Sequence, residues 1–184
     1  MQPDIPEIEL RLRDETATGA LAAAIAPHLR PGFVLYLSGD LGVGKTSFTR
    51  ALLRALGHTG RVRSPTFTLA EPYNLPSFEL YHIDFYRFSG SGDWRDVGFD
   101  ELLGGDAAAV IEWPELGSAL PDPDVWLRLS YDGEPAPENP RRRVTLSAGT
   151  EWGRACLIGV AHAARIGLLA GASWSAGSLA PPPD

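Results

Sequence analysis

The stretch Phe33-Val34-Leu35-Tyr36-Leu37-Ser38-Gly39-Asp40-Leu41-Gly42-Val43-Gly44-Lys45-Thr46-Ser47-Phe48 decides the fold. Its first five residues form an apolar run with two aromatics and a valine, which reads as a short buried strand. Gly39 to Thr46 then fits G-x-x-x-x-G-K-T, the pattern of a phosphate-binding loop. Beyond Lys45, Phe48, Leu52 and Leu56 recur at fourfold spacing, joined by Ala51 and Ala55, and Gly57 stands where the helix should end. Strand, glycine-rich loop and helix in that order present a helix N-terminus, whose unpaired N–H groups and dipole favour an anion. Lys45 is also the only lysine: every other basic residue among the 16 Lys+Arg positions is arginine. An ammonium at that point can reach the β- and γ-phosphates of a nucleotide, and the Thr46 hydroxyl can ligate Mg2+. The expected ATP-binding segment is therefore Gly39, Asp40, Leu41, Gly42, Val43, Gly44, Lys45, Thr46 and Ser47.

Working outward, Ile8, Leu10 and Leu12 alternate with charged residues as a half-exposed strand. Asp14 or Thr16 can cap a helix over about 15–29, rich in Ala and Leu. Residues 61–73 hold Ser64-Pro65-Thr66-Phe67 in an extended polar segment. Further strands are expected over 78–88, 107–111, 125–131 and 143–146, with a short helix from Asp93 to about Leu103. Alternating strands and helices around such a loop indicate an α/β fold of the P-loop NTPase type. Its central sheet should be mixed but mostly parallel, with helices on both faces. Residues 1–147 form that domain. Residues 148–184 read as a C-terminal extension: a helix over roughly 151–170, then a disordered Ala-, Gly-, Ser- and Pro-rich end from Gly171.

The formal charge of -7 argues against a broad nucleic-acid-binding surface. One cysteine, Cys156, cannot form an internal disulfide and suits a reducing compartment. No basic-then-apolar leader and no membrane-spanning apolar stretch is visible, so a cytoplasmic protein is expected.

Hydrolysis of a bound nucleotide needs carboxylates that hold Mg2+ or orient water. Glu112 ends the apolar run Ala107–Ile111 and Asp84 lies in an otherwise aromatic strand, both where α/β sheets place ligands. An aspartate there is costly to bury unless paired or metal-bound. Thr66 can supply a hydroxyl near the γ-phosphate, or be a plain loop residue. His82 reads as a buried strand histidine more readily than as a base. Trp113 fits either core packing or a cover over the nucleotide. Arg141-Arg142-Arg143 is either a solvated turn or the source of one guanidinium, Arg142, for nucleotide phosphate, ribose or tRNA.

Taken in order, Gly-Asp-Leu-Gly-Val-Gly-Lys-Thr, Ser-Pro-Thr-Phe, His-x-Asp-x-Tyr-Arg and Ile-Glu-Trp-Pro-Glu resemble the bacterial TsaE family over about residues 5–147. The resemblance implies an ATPase component of tRNA N6-threonylcarbamoyladenosine biosynthesis that hydrolyses ATP weakly alone. It implies TsaB and TsaD as partners, TsaD performing the transfer, and contact with tRNA through that complex. It also implies roles: Lys45, Asp84 and Glu112 in catalysis, Thr46 and Glu112 as metal residues, Thr66 in a switch-like segment and Asp14 near the nucleotide. Val43 departs from the family's alanine at a position where only backbone is needed, and the residues after 147 match nothing in the family pattern. Two other readings stay open on the loop alone: a small-molecule kinase, and a non-catalytic adaptor switched by nucleotide binding.

Overall fold

The computed structural model describes residues 7–65, 68–87, 98, 103, 105–134 and 140–174. Its eight strands are β1 (Glu7–Leu12), β2 (Val34–Ser38), β3 (Ala70–Asn74), β4 (Glu79–Asp84), β5 (Ala107–Glu112), β6 (Val125–Tyr131), β7 (Arg142–Ala148) and β8 (Ala172–Trp174). The helices are α1 (Glu15–Ile25), α2 (Lys45–Ala55) and α3 (Glu151–Arg165). One mixed sheet runs in the order β3-β4-β5-β2-β6-β7-β1-β8.

The sheet is less parallel than expected. Only β4–β5, β5–β2 and β2–β6 pair in parallel, while β3–β4, β6–β7, β7–β1 and β1–β8 are antiparallel. The cause is connection length. A tight turn, in which Leu75 N–H bonds Phe78 O at 3.0 Å, joins β3 to β4, and a short return allows only an antiparallel neighbour. The parallel block is the apolar part: all five residues of β2 are buried, as a strand flanked on both sides and covered on both faces requires.

The three α-helices of the described residues pack on one face of the sheet. Leu21 of α1, Phe48 and Leu52 of α2, and Leu157 of α3 join one core with Leu35, Leu37, Val110 and Leu127. On the opposite face of the parallel block, Trp113, Leu120 and Trp126 pack against Val34, Tyr36, Ile83 and Ile111. Among the described residues, that face is covered by Leu103, by Trp113 and Leu120 of the chain leaving β5, and by Trp126. The short helix expected between Asp93 and Leu103 falls mainly outside the described residues.

Helix ends follow local chemistry. Gly57 (φ +94°) and His58 donate to Arg54 O and Leu53 O at 3.0 and 2.9 Å, closing α2 with a left-handed glycine. α3 ends the same way: Gly167 (φ +77°) and Leu168 donate to Ala164 O and Ala163 O at 3.2 and 2.9 Å. It therefore stops at Arg165, short of the expected 170. Residues Ala172–Trp174, expected to be disordered, pair as β8 with Leu10 to Leu12 of β1; residues 175–184 lie outside the described residues. No helix among the described residues is long and apolar enough to cross a membrane.

Asp124 joins three elements at the N-terminal edge of the parallel block. Its carboxylate accepts Val34 N–H at 2.8 Å and the Thr150 hydroxyl, and its backbone oxygen accepts Gly149 N–H at 3.0 Å. Thr150 in turn caps α3, accepting Gly153 N–H at 3.1 Å. Asp124 is buried, so its removal leaves the Val34 donor without a partner, which costs more than the bond itself contributes. Asp124→Ala should lower the unfolding free energy by about 2–4 kcal/mol in urea titrations; a loss near zero would show that this junction does not hold α3 and β2 together.

Candidate functional site

The carboxyl ends of β4, β5 and β2 lie side by side because their registers align Asp84 with Glu112 and Glu112 with Leu37. Parallel strands with these ends in line form the crevice where α/β sheets bind ligands. The loop Gly39–Gly44 leaves β2 there and turns into α2.

Gly39 is required by close approach. A Cβ at that position would lie 2.1 Å from the backbone oxygen of Leu129, and its φ is +135°. Gly44 caps α2 with φ +118°, a conformation that side chains other than glycine rarely adopt. The loop's outer limb is held by its carbonyls. Arg142 Nε donates to Val43 O at 2.7 Å, and the Tyr131 hydroxyl reaches Leu41 O at 3.5 Å. Arg142 also stacks over the Tyr131 ring at 4.5 Å. These two are cross-strand partners on β6 and β7.

Lys45 is the first residue of α2 and only 4 % exposed. Its Nζ donates to Gly39 O at 2.6 Å and Asp40 O at 3.0 Å, and lies 3.8 Å from the centre of the Trp113 ring. Burial lowers its pKa, against the opposing pull of Glu112, Glu115, Asp84 and Asp40. Trp113 holds this place with φ +58°, an unfavourable conformation for a bulky residue, and its ring lies 5.0 Å from that of Tyr86.

Thr46, one residue further, donates its hydroxyl to Glu112 Oε1 at 2.9 Å, with Oε2 at 3.3 Å. His82 Nε2 meets the same Oε1 at 2.8 Å. Asp84 Oδ1 accepts Tyr86 N–H at 2.8 Å. Asp84 and Glu112 are each 3 % exposed.

A cleft of about 250 Å³ collects most of the expected residues: Leu41, Gly42, Gly44, Lys45, Thr46, Ser47, Asp84 and Glu112 line it. Ser64, Tyr86 and Trp113 complete the lining. Of these, Trp113 was ambiguous in sequence, and Tyr86 gave no signal beyond its motif. Gly39 and Asp40 contribute carbonyls to Lys45, and Val43 its carbonyl to Arg142, without lining the cleft. Thr66 lies outside the described residues. Tyr131 could have been found from the sequence only by pairing the last two strands in register.

Asp14 and Arg142, also expected at the nucleotide, do not line the cleft. Arg142 braces the loop from behind. Asp14 is the N-cap of α1, accepting Ala17 N–H at 3.0 Å, and it pairs with Arg13 at 3.0 Å.

Chemically, the site sets a helix N-terminus and one ammonium opposite two buried carboxylates. Asp84 and Glu112 would repel a polyphosphate bound alone, and a cation sharing the cleft would offset that repulsion. The available donors, a hydroxyl and carboxylates, are hard oxygens that suit Mg2+ rather than a thiophilic metal. Among the described residues no cluster of three or more His, Cys, Asp or Glu side chains could hold a metal by itself. Mg2+ does not need one, since it is commonly bound through one or two carboxylates together with phosphate oxygens.

The fold and site define an α/β protein whose strand–loop–helix unit offers an anion cradle beside paired acids. A family model described as threonylcarbamoyl adenosine biosynthesis protein TsaE matches residues 12–143. Proteins called tRNA threonylcarbamoyladenosine biosynthesis protein TsaE are similar in sequence. That of Haemophilus influenzae is 36% identical over 128 residues, 69% of this chain and 77% of its own length. That of Bacillus subtilis is 40% identical over 110 residues, 60% and 68% of the two chains. The crystal structure of YdiB from Bacillus subtilis superposes with a TM-score of 0.71 at 29% identity, covering 86% of this chain and 96% of that one. The chain belongs to the TsaE family.

The Asp14 carboxyl lies below its ordinary 3.8, chiefly through the Ala17 N–H bond and then Arg13. A depressed folded-state pKa means its stabilisation is full above 3.8 and is lost as pH falls through the lower folded value. Asp14→Ala should therefore unfold at lower urea than wild type at neutral pH and converge with it in strong acid. Asp14→Asn, which can still cap without a titrating group, should match wild type near neutral pH and keep its margin over Asp14→Ala in strong acid. A constant gap for Asp14→Ala across the acid range would show that the charged cap contributes nothing.

Proposed function

We propose that this chain is a Mg2+-dependent ATPase of the P-loop NTPase fold acting in tRNA threonylcarbamoyladenosine biosynthesis. It would serve as the accessory subunit of a TsaB–TsaD transfer complex and meet tRNA only through that complex. Family membership supports the pathway. The observation that carries the activity is the meeting of Lys45 and Thr46, at the start of α2, with Glu112 and Asp84 at the ends of adjacent strands.

In this reading the α2 N-terminus and the Gly42–Thr46 amides hold the β- and γ-phosphates. Lys45 exchanges the Gly39 and Asp40 carbonyls for phosphate oxygens. Its lowered pKa reflects a desolvated ammonium, and a phosphate would supply the counter-charge that burial removed. Thr46 and Glu112, whose side chains already meet, would hold Mg2+. When bound, Mg2+ would neutralise charge developing on the phosphate oxygens. Asp84, one strand away and facing the same cleft, is left to orient the attacking water. Trp113 and Tyr86 wall the cleft and limit access of bulk water.

Steady-state ATP hydrolysis tests this reading. Lys45→Ala should lose about 10²–10³-fold in turnover, the scale of removing a main stabiliser of transition-state charge, with an unchanged unfolding midpoint. Copurification with TsaB–TsaD should depend on nucleotide in the wild type and lose that dependence in the variant. A folded Lys45→Ala protein with wild-type turnover contradicts the assignment.

A further inference from the structure

Among the described residues, His82 is bonded to the Glu112 carboxylate and has no part in the mechanism above. It is fully buried, at 0 % exposure, on the helix-side face of β4, with Val110 as its cross-strand partner and Glu112 two residues further along β5. Its Nε2 is 2.8 Å from Glu112 Oε1, the oxygen that also accepts the Thr46 hydroxyl at 2.9 Å. Its Nδ1 is buried and has no hydrogen-bond partner among the described residues. Those two facts orient the ring. A carboxylate oxygen accepts only, so Nε2 must carry the hydrogen. Nδ1, without a partner among the described residues, makes no competing bond that would turn the ring away from Glu112.

We infer that His82 is a positioning residue. It acts as an Nε2–H donor that holds the Glu112 carboxylate in register with Thr46 for divalent-cation binding. Glu112 stands at the end of β5, and nothing in a strand fixes the rotation of its terminal carboxylate. Thr46 alone leaves it free to tilt, since that hydroxyl reaches both oxygens, at 2.9 and 3.3 Å. A second donor approaching from the neighbouring strand fixes the plane. Donors behind a metal ligand commonly set its orientation, and losing one typically costs 10–100-fold in metal affinity. The inference rests on the proposed Mg2+–nucleotide site but concerns a contact that can be tested apart from it.

The test pairs His82→Gln, which can still present an amide N–H near the Nε2 position, with His82→Met, which fills similar volume and donates nothing. Nitrogen-15 NMR of the wild type should show the His82 Nε2 protonated and hydrogen-bonded. Calorimetric titration with ADP, with and without MgCl2, should show His82→Met losing about 10–100-fold of the Mg2+-dependent affinity gain. Its metal-free ADP affinity should be unchanged, and His82→Gln should recover most of the gain. An Nδ1–H tautomer, a Mg2+ gain in His82→Met equal to wild type, or equal losses in both variants each overturns the inference. If His82→Met does not fold, the tautomer and the His82→Gln gain decide. A wild type whose ADP affinity ignores Mg2+ would defeat the proposed function, while the tautomer still decides the contact.

Discussion

A buried carboxylate must find donors, and in this chain Glu112 finds them on two other elements. Its position at the last residue of β5 makes it the point where the sheet's central strands and the first turn of α2 are tied together. Thr46 supplies one donor from the helix and His82 one from β4. Breaking either contact leaves a carboxylate at 3 % accessibility one donor short, a loss of about 1–3 kcal/mol. The same carboxylate that organises the junction is also the group best placed to share a cation with the loop. Structure and chemistry therefore draw on one side chain.

The loop itself is shaped from outside. Lys45 turns back on the carbonyls of Gly39 and Asp40, while Arg142 and Tyr131 take those of Val43 and Leu41. With carbonyls engaged along its length, the loop's remaining polar direction is its N–H groups. An anion entering the cleft meets amides, a helix N-terminus and an ammonium already desolvated against Trp113. The antiparallel half of the sheet, which contributes nothing to the cleft lining, contributes this brace through the β6–β7 pair.

Much of this was legible in the residues and some was not. The unit from Phe33 to Gly57 reads directly, because an apolar run, positive-φ glycines and fourfold apolar spacing each have a single local solution. Glu112 and Asp84 read as strand-end acids for the same reason. The proportion of antiparallel pairing did not read, since strand direction depends on connections and not on the strand's own pattern. Strand β8 was hidden because Ala-Ser-Trp carries no alternation of its own and is ordered only by pairing with β1. Asp14 and Arg142 show a further limit. One bonds a helix N-terminus and the other a loop carbonyl, contacts that composition does not reveal. His82 was readable as buried, but its contact with Glu112 required the β4–β5 register.

The central claim is that Thr46 and Glu112 hold a divalent cation against a polyphosphate seated on the α2 N-terminus. Pulsed electron–nuclear double resonance of the protein with Mn2+ and ADP measures this directly. Phosphorus-31 couplings from a Mn2+ bound at the protein, lost in the Thr46→Val, Glu112→Gln double variant while ADP still binds, are the predicted result. Identical phosphorus couplings and Mn2+ affinity in wild type and double variant would contradict the account.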